Sequence, residues 1–201
     1  MDIRNLAMGL AAAAALTGCV APQGPVEVTR FVAAERVSSL GQGNVFVAGA
    51  PGDAADSLEL APYKAAVAEE LARLGYTETD RDSAGQIAEI AIERFVSGGE
   101  NARSPVSVGV GGSTGSYGSG LGVGIGINLG GGPKEQVSTR LSVTLRDTAS
   151  GENLWEGRAD LRTPVDSPLA RGRANAQTLA SALFREFPGN SGETIEVEVS
   201  E

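Results

Sequence analysis

The chain has 201 residues, a formal net charge of −9, no histidine and a single cysteine, Cys19. These absences exclude Ser-His-Asp and Cys-His nucleophilic sites, disulfides within the chain, and zinc sites built from histidine or cysteine clusters. With 16 basic residues against 25 acidic ones, no surplus of cations is left to neutralise phosphates, so nucleic acid is not an expected partner.

Residues 1–18 have the pattern of an export signal. The apolar run from Leu6 to Leu16 is about 11 residues long, too short to cross about 30 Å of hydrocarbon as a helix but suited to a signal peptide. It leads into Leu16-Thr17-Gly18-Cys19, which resembles the lipobox of bacterial lipoproteins. The resemblance implies cleavage before Cys19 and acylation of its thiol, with membrane attachment as the result. A plain secretory signal that ends near a cysteine by coincidence is the alternative.

The residues after Cys19 predict how the rest of the chain is held. Val20 is the residue after the cysteine. In lipoproteins of enterobacterial type, an aspartate at this position retains the protein in the inner membrane. The valine therefore implies the outer membrane, with the protein facing the periplasm. Ala21 to Pro25 is rich in proline and glycine, so residues 19–25 are predicted to form a short lipidated tether. Residues 26–201 are predicted to form a single domain.

The first half of that domain predicts two strands, a helix and a further strand. The strands are Val26 to Val32 and Asn44 to Ala48, rich in valine and phenylalanine. The helix has Pro62 near its start and Gly75 at its end. A Glu69–Arg73 pair lies on its solvent-exposed side. Its apolar residues recur at steps of three and four and are Leu60, Tyr63, Val67, Leu71 and Leu74. Gln86 to Ser97 is β-branched-rich and predicts the next strand.

The second half predicts a hairpin, a helix and a last strand. Apolar and polar residues alternate strictly from Val137 to Leu145, a turn follows at 147–152, and the partner strand runs from Leu154 to Leu161. A second helix is expected to open at Asp166-Ser167-Pro168 and to end at Phe187-Pro188-Gly189. Its apolar residues are Leu169, Ala176, Leu179, Leu183 and Phe187. Thr194 to Val199 alternates again. About six strands and two amphipathic helices predict an α+β fold, a two-layer sandwich with a mostly antiparallel sheet.

Half of the residues from Gly109 to Gly132 are glycine, within a predicted insertion at about 104–133. No glycines here complete G-x-G-x-x-G and no Gly-Lys pair forms a phosphate loop. Instead, two runs of alternating apolar residues flank Gly111 to Ser119, which predicts a long β-hairpin with one apolar face and one face of bare backbone. Two interpretations stay open. The hairpin lies on its own domain, or it is a surface that another sheet, a partner strand or a lipid interface approaches closely.

Three features of the sequence resemble parts of metal, catalytic or ligand sites. Asp80 to Gly85 faintly resembles a calcium loop but has alanine at a ligand position, so a solvated acidic turn is the better interpretation. Glu89 and Glu93 could form a carboxylate pair, but four residues of strand separate them by roughly 13 Å. With Arg94 beside them, a wet strand face is expected. Trp155 is expected to be a core anchor rather than a ligand platform. No catalytic residue, cofactor or metal site is predicted.

Taken in order, these features resemble the bacterial lipoprotein family called domain of unknown function 4136. The resemblance rests on the lipobox, the helix ending Leu74-Gly75-Tyr76, the strand at 86–96, the glycine-rich stretch, and the motifs from Leu141 to Gly157 and at Phe187-Pro188. It implies no activity, because the family has none established.

The function expected from the sequence is that of a non-enzymatic, lipid-anchored envelope protein with a structural or interaction role. Its expected partners are the membrane, through Cys19, and an envelope protein, through the glycine-rich hairpin. One alternative is a binding module for a lipid or another small apolar ligand. A less favoured one is a carboxylate-based hydrolase, which requires two acids within about 10 Å of each other.

Overall fold

The structure, a computed structural model, describes residues 24–52, 57–97, 106–114, 119–127 and 135–199. These ranges contain nine strands and two α-helices, with short 3-10 turns between them. The elements are β1 (Val26–Val32), β2 (Gly43–Gly49), α1 (Ala61–Arg73), β3 (Tyr76–Glu78), β4 (Gln86–Ser97), β5 (Val106–Thr114), β6 (Ser119–Ile127), β7 (Gln136–Asp147), β8 (Asn153–Pro164), α2 (Gly172–Phe184) and β9 (Thr194–Val197). The predicted signal peptide, Cys19 and most of the predicted tether lie outside the described residues.

Seven of the strands form one mixed sheet in the order β3-β2-β4-β7-β8-β1-β9. The β2–β3 and β2–β4 pairs are parallel, and the other four pairs are antiparallel. The centre of the sheet is the long β4–β7–β8 meander, in which Gln86 of β4 pairs with Asp147 at one end and Ser97 pairs with Gln136 at the other. The predicted α+β class and the mostly antiparallel sheet are confirmed.

Both helices pack on one face of this sheet and enclose the core. Because side chains alternate along a strand, each strand gives every second residue to the core and the rest to the opposite face. In β7, for example, Leu141, Val143 and Leu145 are buried while Ser142 and Thr144 are only half-buried. The predicted two layers are therefore one sheet and one layer of two helices. In the described part of the chain, most of the residues on the second face of the sheet, called the open face below, are half-buried or exposed.

The first helix is confirmed with its predicted boundaries. Pro62 lies in its first turn, and Arg73 Nη2 forms an ion pair with Glu69 Oε1 at 2.6 Å. At its end Gly75 has φ +103°, and a β-carbon there would lie 2.7 Å from the carbonyl oxygen of Gly41. Only glycine satisfies both the backbone angle and this close approach.

The second helix begins later than predicted. Pro168 to Ala170 form a separate 3-10 turn, capped by the Ser167 hydroxyl, which accepts a hydrogen bond from the amide of Leu169 at 3.1 Å. The α-helix starts only at Gly172, whose φ is +73°, and it ends at Phe184 rather than at Phe187. The capping signal was therefore real, but it stabilises the short turn that precedes the helix.

Strands β5 and β6 form a separate antiparallel two-stranded sheet. They lie within the predicted glycine-rich insertion. The residues that would join them, 115–118, lie outside the described part of the chain, as do 98–105 and 128–134. The hairpin connection and the insertion boundaries at 104–133 therefore stay predictions.

Candidate functional site

The open face of the central sheet is covered by ion pairs. Glu89 of β4 is bound by Arg146 of β7 at 3.1 Å, and Glu93 is bound by Arg140 at 3.7 Å. Arg140 also donates to Asp160 of β8 at 2.9 Å. Each of the two carboxylates proposed for a hydrolase is thus paired with its own arginine on the neighbouring strand, and the prediction of a wet strand face is confirmed.

Arg94 does not lie beside these two acids, and the sequence analysis was wrong on this point. Being an odd number of residues from Glu89 and Glu93, Arg94 belongs to the other face of β4, the face under the helices. There its Nη1 contacts Glu59 Oε1 at 2.5 Å and its Nη2 donates to the Tyr63 hydroxyl at 3.0 Å.

The contacts of Arg94 continue into a polar chain that links the two helices. The Tyr63 hydroxyl of α1 donates to Asn175 Oδ1 of α2 at 2.6 Å, and Asn175 Nδ2 donates to the carbonyl of Leu169 at 2.6 Å. Tyr63 and Asn175 are both 1% exposed. Burial raises the pKa of the Tyr63 hydroxyl, an effect that the adjacent Arg94 opposes. Tyr63 therefore stays neutral and serves as a donor in this chain.

A buried arginine, Arg30 of β1, lies at the end of α2. Its Nε donates to the carbonyl of Leu183 at 2.9 Å, and its Nη2 donates to the carbonyls of Ala182 at 3.2 Å and Arg185 at 2.5 Å. Burial lowers the pKa of the guanidinium, against the opposing charges of Glu186 and Glu193. A cation at the negative end of a helix dipole is stabilising, so the role of Arg30 is to stabilise the C-terminal end of α2.

Trp155 is a core anchor, as predicted. Its side chain is 1% exposed, its ring stacks on Phe184 at a centroid distance of 5.4 Å, and its Nε1 donates to the carbonyl of Pro188 at 2.9 Å. The ring lies over Gly157, where a β-carbon would approach it to 2.2 Å. The Trp-x-Gly motif is thus a packing device, with the glycine making room for the indole.

The acidic turn at Asp80 to Gly85 contains a 3-10 turn from Arg81 to Ser83. The Arg81 guanidinium lies over the Phe46 ring, 5.0 Å from its centroid. Among the residues that the structure describes, no group of three or more acidic or cysteine side chains could hold a metal ion.

Membrane attachment was predicted at Cys19, which lies outside the described residues. Within the described ranges, no helix is both long and apolar enough to cross a membrane.

In the pairing of β5 with β6, several glycines lie opposite glycines and several apolar residues lie opposite apolar residues. Gly109 pairs with Gly124 and Gly111 with Gly122, while Val108 pairs with Ile125 and Val110 with Val123. Because residues directly opposite one another share a face of a sheet, the register places most of the glycine positions on one face and most of the apolar positions on the other, with Gly112 opposite Leu121 as an exception.

The fold and these sites define an α+β protein with a mixed seven-stranded sheet covered on one side by two helices. The profile of the family described as "Domain of unknown function (DUF4136)" matches residues 37–189, and the chain belongs to this family. The resemblance found in the sequence is therefore confirmed.

Comparison with curated proteins finds no match. Among solved structures, the chain is similar to a PDZ domain protein from Parabacteroides distasonis ATCC 8503, with 12% identity and a TM-score of 0.48, over 87% of this chain and 39% of that one. It is also similar to the PelC dodecamer from Paraburkholderia phytofirmans, with 12% identity and a TM-score of 0.41, over 79% of this chain and 94% of that one. The chain thus spans well under half the length of the first of these proteins.

Proposed function

We propose that this protein is a non-enzymatic lipoprotein of the cell envelope, anchored through acylated Cys19 in the inner leaflet of the outer membrane and facing the periplasm. The observation that carries the proposal is Leu16-Thr17-Gly18-Cys19 at the end of an apolar run, with no other cysteine in the chain. A cysteine with three acyl chains buries enough methylene groups, at about 0.8 kcal/mol each, for stable attachment.

The start of β1 limits how far the domain could stand from the membrane. Strand β1 begins at Val26, seven residues after Cys19. A fully extended chain spans at most about 3.6 Å per residue, so the tether would reach no more than about 25 Å. This short reach suits a protein that works against other components at the membrane surface.

The anchoring proposal is tested by labelling cells with radioactive palmitate. Cys19→Ser removes the acyl acceptor, so we expect no label and no cleavage by the lipoprotein signal peptidase. Val20→Asp is the matched control, because it leaves the thiol in place and should keep the label while moving the protein to the inner membrane in an enterobacterial host. A serine variant that still carries label and fractionates with membranes would show that the lipobox interpretation is wrong.

We further propose that β5 and β6 dock a β-strand of an envelope protein. Within the described residues the two strands pair only with each other, so the outer edge of each has backbone groups available to a further strand. The glycine positions on one face would let a second backbone approach closely. Strands β4 and β7 pair along their whole length without β5 or β6, so the core does not depend on them for strand pairing.

Replacing residues 107–131 by a short Gly-Ser loop tests this docking. We expect the main domain to stay folded and the crosslinks of the protein in intact cells to disappear. Gly124→Pro keeps the length of the chain but removes one backbone donor of β6, so it should weaken the same crosslinks. Crosslinks that persist in the loop variant would refute the docking role, and loss of the folded domain would show that the strands belong to the core.

A further inference from the structure

The predicted tether joins the domain at one end of the central sheet. A β-carbon on Gly24 would lie 3.8 Å from the carbonyl oxygen of Arg162, so Gly24 lies beside β8. Arg162 pairs with Ser138 of β7, and Ser138 pairs with Phe95 of β4. Since neighbouring strands lie about 4.8 Å apart, Gly24 and Phe95 are about 14 Å apart across the sheet. We call this end of the sheet the tether end, and the opposite end, with the turn at 148–152, the far end.

Large apolar side chains are exposed at the tether end. Phe95 and Val96, near the end of β4, are 60% and 65% exposed. Leu58 is 93% exposed and is adjacent in the chain to Glu59, whose carboxylate binds Arg94 of β4. Exposed apolar side chains that lie close together mark a surface that another molecule covers. Leu58, Phe95 and Val96 are called the apolar patch below.

The other large apolar side chains that are exposed in the described part of the chain, Phe31 and Val37, do not form such a patch. Phe31 lies on the open face under the guanidinium of Arg158, 5.9 Å from its ring centroid. Val37 lies in the 3-10 turn between β1 and β2, at the far end. The concentration of exposed apolar side chains is therefore a property of the tether end.

The tether is shorter than the sheet is long. Gly24 follows Cys19 by five residues, so a fully extended chain spans at most about 18 Å between them. The 12 residues of β4 span about 40 Å along the strand. With acyl chains on Cys19, an inverted domain, with its far end on the membrane and its tether end pointing away, is therefore out of reach.

The anchor also lowers the affinity that the apolar patch needs for a membrane. A site joined to its partner by a short flexible linker meets that partner at an effective concentration in the millimolar range. Three apolar side chains that bind a membrane weakly on their own would therefore stay in contact with it beside an anchored Cys19. The driving force is the removal of apolar surface from water at the boundary between head groups and acyl chains.

We propose that the apolar patch lies on the lipid surface of the membrane that holds Cys19, with the far end of the sheet pointing away from it. The proposal rests on the anchoring proposed above. It gives the domain a second attachment besides the acyl chains. The strands of the central sheet then run away from the membrane, and the turns of the far end are presented to the periplasm.

Fluorescence of a dye at single positions of the mature full chain tests the proposal. The chain has no cysteine besides Cys19, whose thiol acylation blocks, so Val96→Cys and Val37→Cys each supply one thiol for an environment-sensitive dye. The two positions are matched, because both are exposed valines and they lie at opposite ends of the sheet. Each labelled protein is reconstituted in vesicles of phosphatidylethanolamine and phosphatidylglycerol. One set of vesicles has a nitroxide group on the acyl chains, which quenches the dye on contact.

We expect the dye at position 96 to lose fluorescence in the nitroxide vesicles and to emit at shorter wavelength than in buffer. The dye at position 37 should show neither change. Phe95→Asp, which places a charge in the apolar patch, should reduce the quenching at position 96. Phe31→Asp is its matched control, at an exposed phenylalanine outside the patch, and should leave the quenching unchanged.

Flotation of the same samples separates failure of this proposal from failure of the anchor. Protein that floats with the vesicles but shows no quenching at position 96, or equal quenching at positions 96 and 37, overturns the membrane contact and leaves the anchor standing. Protein that does not float refutes the anchor and the membrane contact together. Emission at short wavelength from position 96 without quenching would also overturn the proposal, because another segment of this chain or a second copy would then cover the patch.

Discussion

Replacing Trp155 by alanine is the sharpest test of how the core is built. The side chain is fully buried, stacks on Phe184, contacts Phe187 and donates to the carbonyl of Pro188. Removing a buried tryptophan side chain costs about 3–5 kcal/mol. Taking about 4 kcal/mol, and 2–4 °C per kcal/mol for a domain of this size, the midpoint of thermal unfolding should fall by about 8–16 °C.

The measurements are thermal unfolding for the midpoint and urea unfolding for the free energy. Both are followed by far-ultraviolet circular dichroism, because Trp155 is the only tryptophan and its removal ends the fluorescence signal. Trp155→Phe keeps an aromatic ring against Phe184 but loses the Nε1 donor, so it should cost less than the alanine variant. Phe31→Ala removes an aromatic side chain that is 42% exposed on the open face, and should cost less than about 1 kcal/mol. A loss below about 1 kcal/mol for Trp155→Ala would refute the assignment of this residue as the core anchor.

Two further predictions concern charged residues. Arg30→Met leaves three helix-end carbonyls without their donor and should lower the free energy of unfolding by about 2–4 kcal/mol in urea titrations. The control Arg158→Met, at an exposed arginine, should change this free energy by no more than about 0.5 kcal/mol. Similar losses in the two variants would contradict the capping role of Arg30. The pKa of Asp147 lies below its ordinary value because the carboxylate accepts hydrogen bonds from the amide and hydroxyl of Ser150 and from the amide of Ala149. Its contribution to stability should therefore be present above about pH 4 and be lost as the pH falls through the lowered pKa, a dependence that Asp147→Asn should remove.

Strict alternation made the β7–β8 hairpin predictable. The β7–β8 hairpin was predicted to within three residues at each strand end, because each strand buries one face and a shift of one position would expose it. Strand β4 was predicted with its observed bounds from its β-branched content. The alternation of Val26, Val28 and Arg30 in β1 also contained the signal for a buried arginine, since it places Arg30 on the core face with the two valines.

The parallel pairing of β2 could not be predicted from the sequence. Strand β2 pairs in parallel with both β3 and β4, and periodicity shows which face of a strand is buried but not which strand lies beside it. The three-residue strand β3 is too short for any period to be visible. The polar chain of Arg94, Tyr63 and Asn175 joins β4, α1 and α2, which are far apart in the sequence, so no local motif indicates it.

The central claim, attachment through Cys19, is tested most directly by mass spectrometry of the N-terminal peptide of the protein extracted from its native membranes. The account predicts a mature chain that begins at Cys19 and carries the mass of a diacylglycerol and an amide-linked acyl chain. A peptide in which Gly18 is still joined to an unmodified Cys19, or a mature chain that begins beyond Cys19, would contradict it.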